Sequence, residues 1–450
     1  MSIEVITILM FVSMVLLLLT GLPLVFCLGA IAIAFALLLW GGPGAGGMLA
    51  FTTWGLMNWY MMIAIPFFLF MGAVLQVSGI ADTLFGTIYK WMGGLRGGLA
   101  MGTVMICAII AAMVGLTGPA TVTMGLIALP SMVKRGYNKI MVTGAIQAGG
   151  ALGFLIPPSI LAIVYCLIAH ASVGKLFAAG VGPGLMLATF YIIYIGVRCN
   201  LQPNLGPTIP LEERASWKDK LISLKWLILP TLLICMVLGF IVLGVTSITE
   251  ASAIGAFGAI LCAAINRRLT LRALREALFT TARITAMVLW VGISAIAFST
   301  IYDGLGAVEI IKGVLAGLGL GPYGVLIMIQ LSLIILGMFL DDGAIMFITT
   351  PVYVPLIESL GFDPVWFGIV FMVNLQTSFL TPPFGYALFY MKRVVTDIFR
   401  SGKISQEITM ADIYRSVWPF VLIQVAGLVM VIVFPSIAMW LPSLIFGVSN

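Results

Sequence analysis

Charge is what this chain has least of. Lys, Arg, Asp and Glu make up 8% of its 450 residues and hydrophobic residues 62%, with a mean hydropathy of +1.19. A soluble protein of this length cannot hide so much apolar surface, whereas a bilayer takes it up as solvent. Histidine occurs once, as His170, and a lone imidazole builds neither a metal site nor a nucleophilic triad. Cys27, Cys107, Cys166, Cys199, Cys235 and Cys262 are scattered through apolar runs without metal-ligand spacing. They read as reduced packing residues. The phosphate-binding pattern Gly-x4-Gly-Lys-Ser/Thr is missing, so no P-loop hydrolyses nucleotide here, and no Gly-x-Ser-x-Gly elbow is present. These absences argue against an enzyme and leave an ion gradient to drive any accumulation. The net charge of +6 does not point to nucleic acid, because of where the charges fall.

What is present is a repeat. A shift of 225 residues carries Gly79 onto Gly304, Gly94 onto Gly319, Gly118 onto Gly343 and Pro130 onto Pro355 without a gap. The same shift carries Gly136-Tyr137-Asn138 onto Gly361-Phe362-Asp363 and Pro157-Pro158 onto Pro382-Pro383. An internal repeat in an apolar chain marks a secondary transporter, with its site where the halves meet. The chain divides into a first repeat, 1–197, a hydrophilic connection, 198–226, and a second repeat, 227–450. The apolar stretch from Met1 to Thr20 has no base before it and reads as a first span rather than a signal peptide.

Two apolar stretches, 99–133 and 322–357, are too long for one span. Each has a polar interruption, around Thr117-Gly118-Pro119 and around Asp341-Asp342-Gly343. Each reads as a hairpin that enters the membrane and leaves on the same side. Charge supports that reading. With 79–98, 134–139, 198–226, 266–283 and 392–416 in the cytoplasm, all 22 basic residues but Lys175 and Lys312 fall on that side. A full crossing by either hairpin would destroy this segregation. Lys134, Arg135 and Lys139 follow the first hairpin, while Ser359 to Pro364 after the second has no base. The repeat is therefore inverted, and both termini come out periplasmic. The basic stretch Asn266 to Arg283 reads as an arm helix at the cytoplasmic surface. Gly41 to Gly47 reads as a periplasmic turn. The fold expected is an all-α, inverted-repeat, elevator-type membrane protein.

After each hairpin comes a long span broken by a proline pair: 140–168 at Pro157-Pro158-Ser159, and 365–391 at Thr381-Pro382-Pro383. Two prolines remove two backbone donors and leave carbonyls upstream to be satisfied by protein, water or a cation. Such carbonyls, with the side chains of Ser159, Asn374, Thr377 and Thr381, suit a hard ion such as Na+. The half-helix after each break points its positive end into the same place, which suits an anion. The alternative is a plain helix kink, and two pairs at equivalent positions after hairpins argue against it. The tips carry the second signal, Thr117, Gly118, Thr121 and Thr123 in one, Asp341, Asp342 and Gly343 in the other. An aspartate at mid-membrane costs about 2.5–3.5 kcal/mol. Two readings stand for each: an N-cap of the second arm, or a cation ligand facing a watery cavity. Glu250 reads as a first-turn carboxylate. No Lys or Arg lies within 99–133, 140–174 or 322–391, so an anionic substrate is held without an arginine clamp.

These residues resemble a known family. Gly125-Leu126-Ile127-Ala128-Leu129-Pro130 with Lys134-Arg135-Gly136-Tyr137, and Gly149-Gly150 with Leu155-Ile156-Pro157-Pro158-Ser159, look like the large membrane subunit of tripartite ATP-independent periplasmic (TRAP) transporters. Gly337-Met338-Phe339-Leu340-Asp341, Thr350-Pro351, Pro355, Thr249-Glu250-Ala251 and Leu380-Thr381-Pro382-Pro383 extend the likeness over nearly the whole chain. Asn374 to Phe384 is similar to a branch labelled for mannitol or chloroaromatic compounds. The resemblance implies an extracytoplasmic substrate-binding protein, a separate small membrane subunit, sodium coupling and elevator motion in a bacterial inner membrane. It carries ion and substrate sites onto Thr117, Gly118, Thr121, Gly149, Gly150, Pro157, Asp341, Asp342, Asn374, Thr377 and Thr381. Many members have a Ser-Gly-Ser type tip where this chain has Thr117-Gly118-Pro119-Ala120-Thr121. The function expected is sodium-coupled import of a small organic acid, with a 2-oxo acid or other monocarboxylate favoured. The rival is a stand-alone sodium–anion symporter that needs no binding protein.

Overall fold

A computed structural model describes residues 3–447 except 21, 116, 307–312, 314–318, 339 and 384. The described residues are helical throughout. In the first half the helices are α1 (Ile3–Leu19), α2 (Leu24–Trp40), α3 (Gly42–Met57), α4 (Ala64–Val77), α5 (Ile80–Met92), α6 (Gly98–Val114), α7 (Thr117–Lys134), α8 (Lys139–Ala151), α9 (Ile160–Ala169) and α10 (Val173–Leu201). In the second they are α11 (Trp217–Val242), α12 (Ile248–Ile265), α13 (Leu271–Gly304), α14 (Pro322–Gly337), α15 (Asp342–Ser359), α16 (Pro364–Leu380), α17 (Tyr386–Arg400), α18 (Met410–Val433) and α19 (Ser436–Phe446). Among the described residues, six helices are long and apolar enough to cross a membrane by themselves. The chain is a multi-pass membrane protein.

The halves repeat in detail. Helices α7 and α15 have identical length and are displaced by the 225 residues seen in the sequence. The turn glycines Gly136 and Gly361 both have positive φ, 79° and 85°. Beyond them Asn138 and Asp363 cap α8 and α16 in the same way. Each accepts hydrogen bonds from two backbone amides, Ile140 and Met141 in one case, Val365 and Trp366 in the other. Both proline pairs contain a cis bond.

The halves are also interlocked. Helix α2 packs on α13 while α12 packs on α4; α7 packs on α17 while α15 packs on α9; α8 packs on α18 while α16 packs on α10. Such exchange of partners is what a two-fold axis between the halves requires. Phe154 and Phe379, equivalent in the repeat, meet edge to face with centroids 5.3 Å apart. A residue touching its own counterpart lies on that axis.

The basic stretches gather at one end. Ile209 N–H donates to Gly93 O at 2.8 Å, Gly97 N–H to Gly206 O at 2.8 Å and Asn138 N–H to Leu205 O at 3.1 Å. Lys139 Nζ lies 2.7 Å from Asp412 Oδ2, and Arg135 pairs with Glu213 at 3.8 Å. The Arg268 guanidinium lies against Gly79. All five stretches are thus tied into one face.

Two expectations change and a third gains detail. The run Gly41 to Gly47 is not a loop. Gly41 makes the turn, with φ 73°, and Gly42 already begins α3, where a proline in the first turn presets the helical φ. The arm at 266–283 is not a separate helix either. From Leu271 it is continuous with the following span, as one helix of 34 residues. The hydrophilic connection 198–226 is partly helical: α10 runs to Leu201 and α11 starts at Trp217 behind a Ser216 cap.

Candidate functional site

Both long apolar stretches fold as hairpins. In the first, the arms α6 and α7 meet at Gly115, whose φ of 66° closes α6. The turn therefore precedes Thr117, which begins the returning arm. In the second, Asp341 caps the returning arm α15, its Oδ1 accepting from Ala344 N–H at 2.6 Å. That is the capping reading for Asp341. Asp342 is the first residue of α15, where the N–H groups and helix dipole favour a carboxylate. Both aspartates are half-buried. Glu250 forms a capping box with Ser247, the first-turn role expected.

Both proline pairs break a helix. Helix α8 passes through a short 3-10 turn, Leu152–Phe154, before Pro157, and α9 restarts behind Ser159, whose Oγ accepts from Ala162 N–H at 3.4 Å. Helix α16 ends at Leu380, Thr381 is its C-cap, and α17 restarts at Tyr386. At 1.5 Å per residue, α8 and α9 rise about 20 Å and about 15 Å, roughly two-thirds and half of a bilayer core, so neither spans it alone. The Tyr414 hydroxyl donates to Pro383 O at 3.0 Å and braces the second break.

Tip one rests on break one. Ile160 N–H donates to Gly115 O at 3.2 Å, and a methyl on Gly115 would lie 2.7 Å from Pro158 O. Gly149 and Gly150 let α8 approach both arms. A Cβ on Gly149 would lie 2.8 Å from Cys107 Cβ, and one on Gly150 would collide with the Thr121 hydroxyl. Hairpin two meets its own broken helix at Gly337, where a Cβ would collide with Ser378. Gly343 has open space, with only Asp341 Oδ1 nearby at 3.7 Å. Thr123 does not join the tip. It accepts a hydrogen bond from Gln76 Nε2 of α4 at 2.6 Å, beside a cavity of about 420 Å3 that also meets Glu276 and Thr280 of α13.

The hydroxyls near the site share one feature. Thr121 donates to Thr117 O at 3.1 Å, Thr377 to Val373 O at 2.9 Å and Thr381 to Thr377 O at 2.7 Å. A hydroxyl that has given its proton to the backbone presents only lone pairs to its surroundings. Asn374 is fully buried; its Nδ2 donates to Gln330 O and Oε1 at 2.8 and 2.7 Å. Its Oδ1, like Gln376 Oε1, has no hydrogen-bond partner among the described residues. No cluster of three His, Cys, Asp or Glu forms among them.

Four residues near the site escape sequence reasoning. Gln330 and Gln376 left a usable signal, as uncharged amides inside apolar runs. Tyr386 and Tyr390 left only their i, i+4 spacing after the second proline pair. A Cβ on Gly118 would lie 3.1 Å from the Tyr390 ring and 3.3 Å from its hydroxyl. Both tyrosines are within electrostatic reach of Asp341 and Asp342.

Comparison with known proteins agrees with this architecture. The C4-dicarboxylate TRAP transporter large permease protein DctM of Pseudomonas aeruginosa is 32% identical, over 85% of this chain and 86% of that protein. The ectoine TRAP transporter large permease protein TeaC of Halomonas elongata is 30% identical, over 98% of this chain and all of that one. In fold, the chain resembles the crystal structure of the Alcanivorax borkumensis YdaH transporter, described as having an unusual topology, with a TM-score of 0.64, 16% identity and 98% of each chain covered. The relatives are named as permease subunits and not as enzymes. Residues 11–437 match the family described as tripartite ATP-independent periplasmic transporter, DctM component, and the chain belongs to that family as a large transmembrane subunit.

Proposed function

We propose that this subunit imports a small organic acid with sodium, receiving it from an extracytoplasmic binding protein and working beside a small membrane subunit. One observation carries the reading. Threonine hydroxyls that have given their protons to the backbone stand in the returning arm of tip one and at the second break, the unpartnered Asn374 Oδ1 lies on the helix that leads into that break, and no base lies within 322–391. Such oxygens suit a hard monovalent cation, and the cation with the N-termini of α9 and α17 suits a carboxylate. A monocarboxylate, such as a 2-oxo acid, fits a site without arginine better than a dianion does. The hairpins and broken helices move as one body against α2, α4, α12 and α13. By the positive-inside rule the gathered basic face reads as cytoplasmic, which supports periplasmic termini in a bacterial inner membrane.

The test is uptake into proteoliposomes holding this chain and its small subunit under an inward sodium gradient. Oxo acids, hydroxy acids, dicarboxylates and polyols are offered with and without the binding protein. Uptake that needs both sodium and the binding protein is the expected result. Sodium-driven uptake without it would return the stand-alone symporter. No sodium dependence would overturn the coupling.

A further inference from the structure

We propose that Tyr386 and Tyr390 form the substrate-selecting wall of this site, reading a hydroxyl or oxo group beside a single carboxylate. The proposal rests on the transport function above and narrows its substrate class. Both tyrosines begin α17, directly after the second break, and at i, i+4 they share one face of the helix. The Tyr390 ring lies against Gly118 of tip one, with its hydroxyl 3.3 Å from where a Cβ would stand. The same ring is in contact with Phe379, 6.3 Å between centroids, and Phe379 touches Phe154 on the two-fold axis. The aspartates of tip two are within electrostatic reach of it. The Tyr390 phenol therefore stands against tip one, beside the axis where the halves meet, and Tyr386 shares its face of α17.

The repeat itself supplies a control. The counterpart of Tyr390 is Tyr165, which is fully buried and donates its hydroxyl to Pro364 O at 2.6 Å. That hydroxyl is consumed by packing. Tyr390 is 38% exposed and its hydroxyl has no such bond among the described residues. The counterpart of Tyr386 is Leu161, which has no hydroxyl at all. The two-phenol wall exists only in the second repeat, so the symmetry of the fold does not account for it. A phenol both donates and accepts, which matches a neutral hydroxyl or oxo oxygen. The charges of Asp341 and Asp342 disfavour a second carboxylate, and no base lies within 322–391 to offset them, the first being Lys392 and Arg393 further along α17.

The experiment compares Tyr386→Phe, Tyr390→Phe and the double variant with wild type, using Tyr165→Phe as control. Phenylalanine keeps the ring contacts, so folding is preserved. Sodium-driven uptake is measured for a 2-hydroxy acid, its unsubstituted analogue and a dicarboxylate of equal length. The wild type is expected to prefer the hydroxy acid roughly tenfold or more. The Phe variants should lose most of that preference, with the sodium concentration for half-maximal uptake unchanged, and Tyr165→Phe should keep it. Unchanged preference in the double variant, or a wild type that favours the dicarboxylate, overturns the proposal. Thermal stabilisation of the purified protein by the same acids separates the two readings. A hydroxy-acid shift lost in the Phe variants supports the wall even where uptake shows no sodium coupling, and a shift they retain overturns it.

Discussion

Asp341 caps a helix, and the proposed function gives it a second role. Its Oδ1 caps α15 through Ala344 N–H, and the cation reading concerns the charge that remains. Substitution separates them. Asp341→Ser keeps a good N-cap and removes the charge, while Asp341→Ala removes both. Loss of a cap costs about 1 kcal/mol. The melting temperature should therefore fall by about one degree in the alanine variant and stay near wild type in the serine variant. Apparent sodium affinity should drop in both, and in Thr381→Ala. Unchanged sodium dependence in all three would remove tip two and break two from the ion site. The glycines differ in a way the motif alone does not show. Gly149→Ala would force its Cβ to 2.8 Å from Cys107 Cβ, whereas Gly343→Ala meets only Asp341 Oδ1 at 3.7 Å. Overpacking of the first kind costs about 1–3 kcal/mol. Thermal melts should show Gly149→Ala clearly destabilised and Gly343→Ala close to wild type.

Among the elements, the contact most informative about motion is Gln76 with Thr123. It joins α4 to hairpin one at 2.6 Å. If the hairpins travel against α4 and α13, this bond must break in each cycle. Cysteines at positions 76 and 123, in a background without the exposed Cys235, should cross-link with a short bifunctional reagent and stop uptake. Cleaving the cross-link should restore it. Full uptake by the cross-linked protein would show that this pair of elements does not move apart. The hairpins and broken helices were legible in sequence because each leaves a local mark: excess apolar length, a polar interruption, a proline pair. Continuity of α13 left none. Basic residues up to Arg283 and apolar ones beyond look like two elements, yet one unbroken helix carries both, since nothing at the junction interrupts its hydrogen bonds.

At the scale of the molecule, the gathered basic face makes a topological prediction. A reporter active only in the periplasm should be silent when inserted near residue 208 and active when fused to the C-terminus; a reporter active only in the cytoplasm should give the reverse. Silence of the periplasmic reporter at the C-terminus would refute the re-entrant reading of one hairpin. The sequence by itself determined the class, the repeat, the hairpins, the breaks and the family, because each follows from composition, spacing or an order of residues along the chain. It also carried the sidedness argument, since charges are counted without coordinates. Only the tertiary structure decided which residues share the site. Phe154 meets Phe379, and Gly118 meets Tyr390, across more than two hundred residues of chain. The exchange of partners between the halves brings them together, and a pattern that repeats along the sequence does not say whether its copies pack within themselves or on each other. The same exchange turns Tyr165 into a packing residue and leaves its counterpart Tyr390 against tip one, a difference set by neighbours and invisible in the repeat.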